Sequence, residues 1–283
     1  AMLVLPAAAA AEPVSFEQAA NVTGLGGVEV GVNVDYAYEK IEEEGIAVVE
    51  QTMMDIPVFL RAGMPFLEAK LTIPYGSIES NVEAAGSENY TGIKDIGLLL
   101  KTGLLSLPVV NLALGLETTF PTGDPLHYLG EGLNLEPFLA AGIDLQMVKL
   151  HANLGYRYRS EYEIEVEGID PVTMQPVINQ GLKLKPGDAF SVAAGLEIPA
   201  GDVFSLHAEL LVDSFGEATL EGETLSDTSG MTLSVVPGVR AQAGPFKAKL
   251  GVAVPLESAE DRPAYAPTAD WRVLGGASLQ FSL

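Results

Sequence analysis

The sequence predicts an all-β protein: a twelve-stranded antiparallel transmembrane β-barrel of the outer-membrane type, with N- and C-termini periplasmic. Apolar and polar residues alternate, as in Val28, Val30, Val32 and Val34, which is the period of a strand with two different faces. No run approaches the ~20 apolar residues of a membrane helix. A hydrophobic content of 48% nevertheless accompanies a net charge of −23, and an apolar exterior around a polar lumen reconciles the two values.

The first four strands lie in the N-terminal third of the chain. Each puts apolar side chains on one face and polar or small ones on the other, as a wall between lipid and a polar interior requires. The predicted strands are 26–39, 50–62, 66–76 and 93–103. Their outward faces carry Val30, Val32 and Val34; Met54, Ile56 and Val58; Leu67, Leu71 and Ile73; and Ile96, Leu98 and Leu100.

The next four strands repeat the alternation around a long connection in the middle of the chain. The strand beginning at Val148 is the most amphipathic of them, because it sets Leu150, Leu154 and Tyr156 against basic and amide residues. The predicted strands are 109–120, 134–145, 148–160 and 189–199. The outward faces of the other three carry Leu112, Leu114 and Leu116; Leu139, Ala141 and Ile143; and Phe190, Val192 and Leu196.

The last four strands continue the pattern to the final residue, Leu283. A terminal strand of alternating apolar residues is typical of outer-membrane barrels. The predicted strands are 203–214, 230–242, 246–256 and 271–283. Their outward faces carry Leu206, Leu210 and Val212; Met231, Leu233 and Val235; Leu250, Val252 and Val254; and Val273, Leu279 and Phe281.

The connections favour a membrane barrel over a soluble sandwich or soluble barrel. Even-numbered strands are followed by short links and odd-numbered strands by longer ones, the largest at 160–188. Short turns at one end and long loops at the other are the outer-membrane arrangement. A sandwich does not separate its loops in this way. The predicted location is the bacterial outer membrane.

The N-terminal residues are predicted to lie outside the barrel. Residues 1–11 read as a signal-peptide remnant or a flexible tail, because an apolar stretch is followed by small residues. Residues 12–25 form a periplasmic segment in which Ser15 to Gln18 matches a capping box. The barrel occupies 26–283.

The charges divide between a balanced lumen and acidic outer loops. Basic and acidic residues on the inward faces nearly cancel, so most of the negative charge falls in long loops such as 161–168 and 217–224. The residues predicted to line the pore are Arg61, Lys101, Glu117, Glu136, Asp144, Arg157, Arg159, Glu209, Arg240 and Arg272.

This charge distribution also indicates the partners. We expect outer-membrane lipid and lipopolysaccharide, a small-molecule solute, and divalent cations at the acidic outer loops. An acidic rim concentrates cations within about a Debye length, ~8 Å. Nucleic acid is disfavoured as a partner at this net charge.

The sequence offers little catalytic or metal-binding chemistry. It has no cysteine and three histidines without ligand spacing, so we expect no cofactor and no metal site. Ser205 and His207 share an inward face, with Asp213 further along the strand, but no Asn or Asp is clearly placed to orient the histidine. We therefore predict that the protein is not an enzyme.

Three stretches resemble a known family. They are FLEAKLTIPYGS at 66–77, GIKDIGLLLKTGLL at 92–105 and VNLALGLETTFPTGD at 110–124, of which the Pro121-Thr122-Gly123-Asp124 turn is the most specific. They resemble the outer-membrane barrels of the phenol-degradation meta-pathway transporter family. The resemblance implies passive uptake of small, often hydrophobic or aromatic, molecules. The alternative is a structural or surface-interaction barrel with a closed lumen and cation-binding outer loops.

Overall fold

The computed structural model describes residues 26–41, 49–64, 66–82, 86–125, 129–145, 147–169, 176–226, 228–256 and 269–282. The predictions made for residues 1–25 and for Leu283 lie outside these ranges. Among the described residues, no helix has the length and apolar character to span a membrane. The strands are β1 (Gly27–Ile41), β2 (Val49–Met64), β3 (Leu67–Val82), β4 (Gly86–Ile93), β5 (Ile96–Ser106), β6 (Val110–Phe120), β7 (Asn134–Asp144), β8 (Lys149–Arg159), β9 (Tyr162–Ile169), β10 (Pro176–Lys185), β11 (Ala189–Ala200), β12 (Phe204–Phe215), β13 (Thr219–Leu220), β14 (Glu223–Thr224), β15 (Gly230–Ala243), β16 (Phe246–Pro255) and β17 (Trp271–Ser282).

The main sheet closes on itself, and each of its pairings is antiparallel. Around the wall, the order of the strands is β1, β2, β3, then β4 and β5 at one shared position, then β6, β7, β8, β11, β12, β15, β16 and β17. The barrel closes where β17 pairs with β1, from Gly27↔Ser282 to Tyr38↔Trp271; this pairing is the seam. Strands β4 and β5 follow one another along β3 and share one position in the wall. The described residues therefore form a closed twelve-stranded antiparallel barrel, which confirms the predicted number and arrangement of the strands.

The pleat sorts side chains between the two faces of the wall. On β2, Val58 and Leu60 are 51% and 50% exposed, whereas Phe59 between them is 2% exposed. Successive side chains of a strand point to opposite faces, so one residue faces outward and the next faces inward. The exposed outward set is apolar on strand after strand, as a lipid-facing belt requires.

The structure corrects the prediction at two of the long connections. Strand β3 continues to Val82 and pairs with β4 over 86–93, a hairpin for which no strand is predicted. The connection predicted at 160–188 is mostly the hairpin of β9 and β10, which joins β13 and β14 in a small second sheet. Tyr162, Ile164 and Leu184 are buried there. In the sequence, Tyr162 and Ile164 alternate with glutamates, and this high negative charge favoured the interpretation of the segment as a loop.

Candidate lumen site

The ten predicted pore-lining residues all take inward positions of the pleat. Five of them are less than one-tenth exposed, namely Arg61, Lys101, Glu136, Arg159 and Glu209. Each of them lies an even number of positions from a buried residue of the same strand. Side chains at even spacing on a strand point to the same face, so all ten face inward. Their role in a conducting pore stays a prediction.

Glu29 is the centre of an ionic network in the half of the lumen nearest the short turns. Its carboxylate accepts hydrogen bonds from Arg61 Nη1 at 3.2 Å, Lys247 Nζ at 3.5 Å and Ser278 Oγ at 2.5 Å. Glu68 lies 3.0 Å from Lys101 Nζ and 3.6 Å from Arg61 Nε. Arg61 thus joins the two carboxylates, and charges from several strands are held together across the wall.

A second group of charges lies in the same half on strands β8, β11, β12 and β15. Glu197 approaches Arg240 Nη1 at 3.3 Å and Lys149 Nζ at 3.8 Å. His151 lies 3.7 Å from Glu209. These contacts give the charged side chains fixed partners, so the inward face of this wall is ordered as well as polar.

Three further ion pairs among the described residues lie in the half nearest the long loops. Arg157 Nε donates to Glu136 at 2.8 Å, Lys94 Nζ to Asp55 at 2.9 Å, and Arg272 Nε to Asp35 at 3.3 Å. The first pair joins β8 to β7 and the third joins β17 to β1, whereas Lys94 lies between β4 and β5 and pairs with a residue of β2. The three pairs therefore connect different strands inside the barrel.

Arg159 is placed differently from the other arginines of this half. It is 3% exposed, and its guanidinium lies 5.5 Å from the centre of the Phe215 ring. Among the described residues, no acceptor lies within hydrogen-bonding distance of its Nε or Nη2. A cation–π contact therefore holds this buried cation.

An apolar cluster lies on the inward face of the neighbouring strands β5, β6 and β7. Leu99, Ala113, Phe138 and Ala140 face inward and form a buried cluster. The Phe138 ring lies against Gly115, its partner on β6, where a Cβ would overlap the ring. Phe138 was missed as a lumen residue, although it shares the inward parity of Glu136 in the sequence; its pairing with Gly115 depends on strand register.

Asp95 is a buried acid that binds backbone N–H groups. Its carboxylate accepts the backbone N–H groups of Thr122 at 2.9 Å, Gly123 at 2.8 Å and Glu131 at 2.7 Å. Two segments of the family resemblance, Gly-Ile-Lys-Asp and Pro-Thr-Gly-Asp, meet at this point. The acid fixes the connection between β6 and β7 at the mouth of the barrel.

Glu131 lies in that connection, close to the basic residues of the mouth. Burial raises the pKa of its carboxyl above the ordinary value of 4.5, while the positive charges of Arg159 and Lys94 lower the pKa by less. Desolvation disfavours the ionised form of a carboxyl, so the connection carries an acid that holds its proton more strongly than usual.

Ser205 and His207 contact each other, with 3.0 Å between Oγ and Nε2. Glu197 is 3.9 Å from the same Nε2. In a catalytic triad the acid holds the other ring nitrogen, and the geometry here does not have that form. Within the part of the chain that is described, no group of three or more His, Cys, Asp or Glu side chains is arranged to hold a metal ion.

No family model and no curated protein matches the sequence, but solved structures match the fold. An outer-membrane channel from Pseudomonas putida F1 superposes with a TM-score of 0.69 at 13% identity, over 91% of this chain and 96% of that chain. The β-domain of the Bordetella autotransporter BrkA gives 0.53 at 13%, over 90% and 100%. The transport unit of the autotransporter AIDA-I from Escherichia coli gives 0.52 at 10%, over 96% and 93%. At these identities the likeness establishes the fold, which is that of bacterial outer-membrane barrels.

Proposed function

We propose that the chain is an outer-membrane channel for the passive passage of small solutes, without enzymatic activity. The observation that carries the proposal is the closed wall, whose outward residues are apolar and whose inward residues include the ionic networks around Glu29 and Glu197. A lipid-compatible exterior around a charged interior is the arrangement of membrane channels built from strands. The Pseudomonas putida neighbour, described as an outer-membrane channel, supports the same function.

The connections support an orientation with both termini in the periplasm. Two of the short turns use glycines with positive φ, Gly201 at 80° and Gly244 at 58°, so these strand pairs are joined tightly. The opposite end carries the extended hairpin of β9 and β10. Outer-membrane barrels place their short turns on the periplasmic side, and β1 begins and β17 ends at this same end.

The width of the barrel favours small solutes. Barrels of eight strands are filled by side chains, whereas those of sixteen leave an open channel. Twelve strands lie between these limits. Hydrophobic or aromatic molecules are candidate solutes on the family resemblance, and the inward charges, among them Arg157, Arg240 and Glu117, would set selectivity.

Conductance tests this proposal directly. The purified chain, folded in detergent, is added to planar bilayers and to liposomes in an iso-osmotic small sugar. We expect discrete current steps and liposome swelling, both lost when the same preparation is heat-denatured before addition. Folded protein that gives neither current nor swelling contradicts the channel function.

One observation favours a second candidate, a surface-interaction barrel with a closed lumen. Phe138, Ala140 and Asn153 face inward, yet they are only 2%, 0% and 7% exposed, as in a filled lumen. The exposed acids of the outer segments, such as Glu161 and Glu223, would then bind divalent cations and lipopolysaccharide. This candidate predicts no conductance, together with a melting temperature that rises with millimolar Ca²⁺.

A further inference from the structure

Three neighbouring short turns of the barrel carry exposed apolar side chains. These turns join β2 to β3, β5 to β6 and β7 to β8, and the six strands follow one another around the wall. No charged residue occurs from 102 to 113, across the whole β5–β6 connection. The exposed apolar residues of the three turns and the adjoining strand ends, which we call the apolar arc, are Phe66, Leu105, Leu107, Val109, Leu145 and Met147.

Hydrogen bonds hold the three turns next to each other. The Thr102 hydroxyl on β5 donates to the Phe66 carbonyl at 2.6 Å, which ties the first turn to the strand that leads into the second. The Asp144 N–H donates to the Val109 carbonyl at 2.8 Å, which ties the second turn to the third. The apolar arc is therefore one continuous surface at the short-turn end of the barrel.

A β-bulge enlarges the apolar arc on β5. Gly103 pairs with Ala113, but Leu105 pairs with Leu112, so Leu104 is an extra residue in the ladder. A bulge re-aims the side chains of its strand. By strict alternation Leu105 would share the inward face of Gly103 and Ala113, whereas the bulge sets it opposite the outward-facing Leu112 and leaves it exposed. The fold thus turns a leucine outward where alternation alone would have pointed it into the lumen.

Phe66 has an unusual backbone conformation for a bulky residue. Its φ is 67°, in the left-handed region that costs free energy for residues other than glycine. Its side chain is 88% exposed, so packing of the ring within the described protein does not offset that cost. A contact of the ring with something outside the protein accounts for the conformation.

The opposite side of the same end is built differently. Val203 and Phe204 around the start of β12, and Phe246 at the start of β16, are exposed, and the two phenylalanines match the aromatic girdle of an outer-membrane barrel. The turns beyond them expose Gly201-Asp202 and Gly244-Pro245, which are polar or small. The apolar surface therefore ends near the strand ends on this side, whereas it continues through the turns on the side of the apolar arc.

We propose that the apolar arc binds phospholipid: its three turns lie among the headgroups and upper acyl chains of the periplasmic leaflet, while the β11–β12 and β15–β16 turns lie in water. This rests on the proposed function, which sets the short turns on the periplasmic side. Leu105 and Leu107 continue the outward face of Leu98 and Leu100 on β5, so the apolar arc adjoins the lipid-facing belt directly. Apolar side chains at the headgroup boundary bind a membrane through the apolar area that they bury.

Spin labels test the depth of the turns directly, because the chain has no cysteine of its own to label. Leu107→Cys and Met147→Cys each place one nitroxide on the apolar arc, and Asp202→Cys and Pro245→Cys place the same label on the turns of the opposite side. Each labelled full chain is folded into phosphatidylcholine vesicles. Its accessibility to oxygen, which partitions into the bilayer, is compared with that to a water-soluble nickel chelate. We expect a higher oxygen-to-nickel ratio at 107 and 147 than at 202 and 245.

Two results overturn the proposal. One is an oxygen-to-nickel ratio at 107 and 147 that is equal to or lower than the ratio at 202 and 245, because the turns are then no deeper in the membrane. The other is shielding of the labels at 107 and 147 from both reagents, because a protein then covers the apolar arc in place of lipid. Dipolar broadening between labels would identify that protein as a second copy of the chain.

A tryptophan variant guards against an effect of the label itself. In a Trp271→Phe background, which removes the only tryptophan, Phe66→Trp keeps an aromatic ring on the apolar arc, and Pro245→Trp is its control. Phospholipids brominated on their acyl chains should quench the fluorescence of the first more than that of the second, and equal quenching contradicts the proposal. Heat-dependent gel mobility reports folding of each variant. Conductance is measured on the unlabelled wild type, and its absence counts against the channel function without altering the depths.

Discussion

The ring of Phe138 covers Gly115 of the neighbouring strand, and a Cβ at position 115 would overlap it. The glycine therefore leaves room for the aromatic side chain to pack against the wall. The pair Gly31 and Phe59 repeats the arrangement on β1 and β2, with a hypothetical Cβ 2.6 Å from the ring Cζ.

Gly115→Ala should move the Phe138 ring into the lumen. Overpacking of this kind costs about 1–3 kcal/mol, so we expect a lower free energy of unfolding in urea and a smaller unit conductance. Gly97→Ala is the matched control, because its Cβ would meet Thr72 at an ordinary 3.7 Å. If the two substitutions changed the free energy of unfolding and the conductance equally, the packing of the Phe138 ring against Gly115 would be contradicted.

Glu68→Gln should destabilise the barrel strongly. The variant leaves Lys101, whose side chain is 2% exposed, without its 3.0 Å carboxylate partner. Removing one partner of a buried ion pair costs about 3–5 kcal/mol. Glu161→Gln breaks the exposed pair with Lys183, where about 0–1 kcal/mol is expected. Urea unfolding measures both, and similar losses would show that the lumen network is solvated.

Asp95→Asn should release the connection between β6 and β7. The amide can no longer accept three backbone N–H groups as an anion does, and hydrogen bonds to charged groups contribute about 1.5–3 kcal/mol each. We expect faster hydrogen exchange at Thr122, Gly123 and Glu131, with strands β11 and β12 unchanged. Asp202→Asn, in an exposed short turn, is the control. Unaltered exchange in the Asp95 variant would show that the connection is held by other contacts.

Leu114→Arg should hinder membrane insertion. Leu114 lies at the centre of β6, faces outward and is 46% exposed. An arginine on the lipid face costs about 2–4 kcal/mol at the bilayer midplane and about 0–1 near the interface. Leu104→Arg, near the short-turn end of β5, is the interfacial control. The yield of folded protein in lipid vesicles should fall for position 114, and equal yields would argue against a lipid-facing surface there.

Glu131→Gln should be most stabilising at higher pH. Because the folded-state pKa of Glu131 is raised by burial, folding favours the protonated form. The wild type therefore loses stability as the pH rises above the ordinary value of 4.5, and the glutamine variant lacks this loss. The difference in melting temperature between the two should grow with pH, whereas a constant difference would contradict the pKa shift.

Most of the wall was predictable from the sequence because the side-chain period of a strand is independent of its partners. Val58, Phe59 and Leu60 reveal their faces by alternation alone. The hairpin of β3 and β4 was missed because Gly86 to Ile93 is mostly polar. Its strand is stabilised by pairing with β3 rather than by an apolar face.

The organisation of the lumen was only partly predictable. Register placed Arg61 and Glu136 inward correctly, but their partners depend on strand stagger, which the sequence does not encode locally. The role of Asp95 depends on the N–H groups of residues 122, 123 and 131, a contact between distant parts of the chain. The partners of Glu29 likewise come from β2, β16 and β17, which lie far apart in the sequence.

The seam between β1 and β17 joins the first and last described strands of the chain, from Gly27↔Ser282 onward. Every other neighbouring pair in the wall can form by zipping up local hairpins, whereas this pair must bring the two ends of the chain together, at the largest loop-closure entropy. Closure is therefore expected to be the final and slowest folding event. Until it occurs, both ends of the sheet are open edges that can pair with other chains, so the period before closure is when the protein is most prone to aggregate.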